Sequence, residues 1–105
     1  MMTAHMTRHV TEDRLDRVMA IAQHVGWGTE LVSVTDQNSP DHLLVLTSTG
    51  VLLVKSHKGH LITAYVPTVG KVRAIYTTMG YDHIPDPVYF RLQKSIKIMK
   101  KMGCY

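Results

Sequence analysis

With 105 residues, 45% of them hydrophobic and 19% charged, the chain has the size and composition of one globular domain. No apolar run approaches the about 20 residues that a membrane span requires. The opening Met1 to Val10 lacks the continuous apolar stretch of a secretory signal, and a single cysteine, Cys104, allows no internal disulfide. These features predict a cytoplasmic protein without a membrane partner, folded as one domain over 11–105 behind a disordered tail at 1–10. The net charge of +4 conceals a split. Residues 1–54 set three arginines against six carboxylates, net −3, whereas residues 55–105 set nine Lys and Arg against Asp82 and Asp86, net +7. A basic half raises the expectation of a polyanionic partner, nucleic acid ahead of an anionic membrane surface. The competing reading is a solvated cationic face.

Along the chain, Thr11 is placed to cap a first helix whose opening turn carries Glu12 and Asp13, which suit the helix dipole. Leu15, Val18, Met19, Ala22 and Val25 then recur at helical spacing up to Gly26. Leu31 with Val32 or Val34 predicts a first, edge strand that ends at the turn formers Asp36 to Pro40. Leu43–Thr47 and Val51–Val54 flank Ser48-Thr49-Gly50, a hairpin pattern, and their unbroken apolar runs suit central strands covered on both faces. His60–Val66 supplies a fourth strand after a two-residue turn at Lys58-Gly59. Pro67 ends the sheet, and Thr68 caps a helix reaching Met79 with Val69, Val72, Tyr76 and Met79 inward. Asp86-Pro87 reads as the N-cap and first position of a third helix running to about Met102. One arc of that helix holds Val88, Leu92, Ile96, Met99 and Met102, and the other Arg91, Lys94, Lys97, Lys100 and Lys101. The predicted fold is α+β, a four-stranded antiparallel meander with an N-terminal helix and two C-terminal helices, in the order α-β-β-β-β-α-α.

The hairpin from Val51 to Val66 concentrates the reactive side chains. A two-residue turn sets His57 opposite His60 and Lys55 opposite Ile62, grouping both histidines with Lys55 on one face and Thr63 with Tyr65 on the other. A bulge or another turn type would undo that grouping. Two imidazoles and a lysine suit metal-independent RNA cleavage: one imidazole takes the 2′-hydroxyl proton, the other protonates the leaving oxygen, and the ammonium offsets charge on phosphorus. Lys55, His57, His60, Thr63 and Tyr65 are therefore the candidate catalytic residues, against the plainer reading of a polar, soluble tip. A metal pair of His57 and His60, with His42 or His83 as third ligand, lacks the usual zinc signature, so no metal is expected. No cofactor is expected either, because the chain has no Gly-rich phosphate loop or dinucleotide fingerprint. Lys71, Arg73, Arg91, Lys94, Lys97 and Lys101 are the candidate nucleic-acid contacts. Tyr65, Tyr76, Tyr81 and Tyr89 suit either base stacking or core packing with a wet hydroxyl.

The run Gly59-His-Leu-Ile-Thr-Ala-Tyr65, followed by a helix after Pro67-Thr68, resembles small phage and prophage-encoded proteins. The layout over about 10–100 is similar to that of the barnase, EndoU, colicin and RelE group of toxin ribonucleases. That resemblance implies helices packed on a four-stranded antiparallel sheet, with RNA cleaved on its open face by Lys55, His57, His60, Thr63 and Tyr65. The chain departs from barnase in having no Glu on the central strands, and from RelE-like toxins in having no Arg there. Toxin-type endoribonuclease is the leading expectation. The alternative is a non-enzymatic binding or inhibitor module whose basic C-terminal helix meets nucleic acid or an acidic protein partner of the antitoxin or immunity type.

Overall fold

The computed structural model describes residues 15–105. The predicted tail and the predicted cap at Thr11 lie outside them. The first helix, α1, is described from residue 15 and closes as a π-helical turn over Ile21–Val25. Four strands follow, β1 (Glu30–Thr35), β2 (His42–Thr47), β3 (Leu52–Ser56) and β4 (Leu61–Tyr65), and then helices α2 (Val69–Thr78) and α3 (Asp86–Lys101). The strands pair antiparallel in the order β1-β2-β3-β4, so β1 and β4 are the edges. This is the α+β meander with flanking helices that the apolar periodicities predict.

Pairing register sorts the side chains. Val34 is paired with Leu44, Leu44 with Val54, and Val54 with Thr63; one row further, Val32, Leu46, Leu52 and Tyr65 align. Directly paired residues share a face, and α2 packs on this one, where Ala74, Ile75 and Thr78 meet Val34 and Leu44. Leu44, Leu46, Leu52 and Val54 are buried there, each contributing about 1.5–3 kcal/mol. Glu30, Thr47, Val45, Leu43, Leu53 and Lys55 fall on the opposite face.

The helices differ from expectation in which residues they bury. On α1, Leu15 and Met19 stay 52% and 54% exposed, while Ile21 and Val25 enter the core and Arg17 is half-buried. The Gly26 N–H reaches back five residues to the Ile21 carbonyl at 2.8 Å, a π-type bond. That wider turn aligns Arg17, Ile21 and Val25 at a spacing of four. On α2, Ile75 joins Val72 and Tyr76 in the core, and Met79 lies exposed beyond the helix end. The Thr68 hydroxyl accepts the Lys71 N–H at 3.2 Å, which is the predicted cap. On α3, Pro85 takes the N-cap position, and Asp86 lies in the first turn without a capping bond. Leu92, Ser95 and Met99 form the buried line of α3, whereas Met102 is exposed.

The β3–β4 turn also departs from the predicted geometry. The Gly59 N–H bonds the Ser56 carbonyl at 2.9 Å and the Ser56 N–H bonds the His60 carbonyl at 2.8 Å, leaving a three-residue loop with Gly59 at φ +91°. A type I turn followed by a left-handed glycine has this pattern. The β2–β3 turn repeats it, Gly50 N–H to the Thr47 carbonyl at 3.0 Å and Thr47 N–H to the Val51 carbonyl at 2.9 Å. A bulge in β4 then sets Lys55 against Leu61 rather than Ile62.

Candidate nucleic-acid interface

The register and the three-residue loop disperse the five residues of the hairpin. Lys55 lies on the face opposite α2, where its Nζ donates to the Glu30 Oε1 at 2.8 Å; register places this bridge across the central strand β2. The His57 ring sits over the β1–β2 connection, its Nε2 2.6 Å from the Pro40 carbonyl. A carbonyl only accepts, so that nitrogen carries the proton. His60 is exposed, with only its backbone N–H bonded, to the Ser56 hydroxyl at 3.2 Å. Thr63 and Tyr65 belong to the α2 face and are engaged by α1: Arg17 donates to the Thr63 hydroxyl at 2.8 Å and to the Ala64 carbonyl at 2.9 Å, and its guanidinium stands 5.9 Å from the Tyr65 ring centre. Burial, and secondarily Asp36, hold the Tyr65 hydroxyl above its ordinary pKa, so it is a neutral phenol at pH 7. Thus Thr63 and Tyr65 share Arg17, while Lys55, His57 and His60 each have different neighbours. Among the described residues no three His, Cys, Asp or Glu side chains gather as a metal set.

The six candidate nucleic-acid contacts divide as well. Lys71 is half-buried beside the Asp36–Asn38 turn, lining a cleft of about 130 Å³, and Arg73 is exposed on α2. Arg91 turns toward the fold. Its Nη2 donates to the Val25 carbonyl at 2.8 Å and its Nη1 to the Ser95 hydroxyl at 3.2 Å, while Ser95 donates to the Thr49 carbonyl at 2.6 Å. This chain joins α1, α3 and the β2–β3 turn. Lys94, Lys97 and Lys101 remain exposed, as does Lys100.

The physical basis of the cationic face is the helix itself. At 100° per residue, Phe90, Lys94, Lys97 and Lys101 fall within an arc of about 60° and run about 16 Å along α3. The arc is centred opposite Leu92 and Met99, whose burial fixes its outward direction. Asp86 is the only acidic residue of α3 and lies at its start. The one ion pair between described residues is Lys55 with Glu30, so the α3 lysines are not neutralised there. Lys100 and Lys101 also complement the negative end of the helix dipole.

Two features beside this arc did not figure among the predicted contacts. Phe90 is 66% exposed, the most exposed large hydrophobic side chain among the described residues, and its ring meets Tyr89 edge-on at 5.8 Å. Its position one turn before Lys94 was the available signal. A groove of about 370 Å³ runs along the arc's flank, lined by Val69, Gln93, Ile96, Lys97, Lys100 and Tyr105. Its far wall comes from residues distant in sequence, which helical periodicity cannot reveal.

Comparison with known proteins returns no matching family model, no matching curated protein and no matching solved structure. Among the described residues no helix is long and apolar enough to cross a membrane.

Proposed function

We propose that this protein is a non-enzymatic nucleic-acid-binding module of the cytoplasm that engages the phosphate backbone with the outer face of α3. The observation that carries the reading is the exposed alignment of Lys94, Lys97 and Lys101, with Lys100 beside them, on a helix whose sole carboxylate is at its far end. Lysines so arranged release counterions from a polyanion, the main source of sequence-independent affinity. Toxin-type RNA cleavage draws less support, because its five residues are distributed over two sheet faces and a loop, and Lys55 already pairs with Glu30.

The test is binding of a fluorescent oligonucleotide across a salt series. Replacing Lys94, Lys97, Lys100 and Lys101 with Gln should weaken binding and flatten log K against log salt by roughly 3 units for a single strand, at about 0.7 per lost contact. Unchanged affinity and slope would remove the reading. Tight, salt-sensitive binding of an acidic protein, with none of nucleic acid, would transfer the same face to a protein partner. Cleavage of RNA in chelator-containing buffer, lost in His60→Ala, would restore the ribonuclease.

A further inference from the structure

The lysine line of α3 carries no preference between duplex and single strand, but its borders do. Phe90 ends the line with an open ring face, and an aromatic left 66% exposed on a helix of an otherwise well-covered core offers a platform for a flat partner. Along the flank, the groove combines an apolar floor of Val69 and Ile96 with the Tyr105 ring, over which the Lys100 ammonium stands at 5.6 Å. Gln93 at the groove's edge is already oriented: its Nε2 donates to the Tyr89 hydroxyl at 2.8 Å, which leaves the amide oxygen as a free acceptor. Cationic points on one line, an aromatic at its end and a half-apolar groove with an aimed amide beside it match the needs of a backbone whose bases are unpaired.

We propose that α3 selects single-stranded nucleic acid, with phosphates on Lys94, Lys97 and Lys101, one base stacked on Phe90 and another entering the groove beside Gln93 and Tyr105. This rests on the nucleic-acid reading above and adds the class of ligand to it. A duplex keeps its bases stacked inside and offers this face only phosphates, so neither Phe90 nor the groove contributes to holding it. An unpaired strand of the same charge gains about 5- to 150-fold for each base stacked on an aromatic ring.

The experiment compares three probes of equal length and phosphate number: a single-stranded oligonucleotide, its duplex, and an abasic strand. Wild-type protein should bind the normal strand at least about 5-fold more tightly than the abasic strand, with nearly equal salt slopes. Phe90→Ala should lose most of that preference without changing the slope, and Gln93→Ala should lose a smaller share. Both positions are exposed, and the melting temperature of each variant reports whether the fold is intact. Equal affinity for all three probes, with the four-lysine variant still flattening the slope, overturns the selection of unpaired bases and leaves phosphate binding in place. No binding of any probe overturns both.

Discussion

The β3–β4 tip and the outer face of α3 draw on the same kinds of side chain, and the fold treats them in opposite ways. At the tip, Lys55 closes onto Glu30 and His57 onto the Pro40 carbonyl, so the polar groups satisfy neighbours on adjoining strands and loops. On α3, burial of Leu92, Ser95 and Met99 fixes the helix from below and leaves four lysines and Phe90 directed to solvent. Within α3 the same contrast recurs, since Arg91 faces inward. Residue type alone therefore does not mark a binding surface; what separates the two regions is whether the fold supplies a partner for each charge.

Substitutions at paired positions sharpen that contrast. The largest stability loss is expected at Gly50, the counterpart of Gly59 in the other hairpin. It has φ +84°, and an added Cβ would lie 2.9 Å from the Leu92 Cα, so Gly50→Ala should cost about 2–4 kcal/mol from backbone strain and overpacking together. Arg91→Gln comes next. Loss of the guanidinium from Val25 and Ser95 should cost about 1–3 kcal/mol in denaturant unfolding while altering the nucleic-acid salt slope by much less than any of the four lysines. Gly59→Ala shares the left-handed conformation, at φ +91°, but meets nothing within 4 Å, so about 1–2 kcal/mol of strain is the whole effect. The smallest change belongs to His60→Ala, which should stay within about 0.5 kcal/mol and leave nucleic-acid binding unaltered. A Gly59 variant as damaged as the Gly50 variant would show the tip to be packed, contrary to this description.

Much of the fold was legible because its signals are local. The unbroken apolar runs Leu43–Leu46 and Val51–Val54 required strands covered on both sides, and Leu44, Val45, Leu46, Leu52 and Val54 are indeed buried. Thr68 before a helical repeat required a cap. The tip was not legible to the same degree, because Lys58-Gly59 fits both a two-residue turn and the last two positions of a three-residue loop, and one residue decides which side chains share a face. The π turn at Ile21–Val25 was equally hidden: a repeat of 3.6 selects Leu15 and Met19, and only packing selects Ile21. Arg91 and Lys94 look alike on a helical wheel. Their difference comes from the Val25 carbonyl, 66 residues away in sequence.

The most direct test is to map the contact surface by amide and side-chain chemical shifts while titrating the protein with a short single-stranded oligonucleotide. The account predicts that perturbations concentrate at Phe90, Gln93, Lys94, Lys97 and Lys101, with the hairpin residues from Lys55 to His60 unmoved. Perturbations confined to the hairpin, with α3 silent, would contradict it.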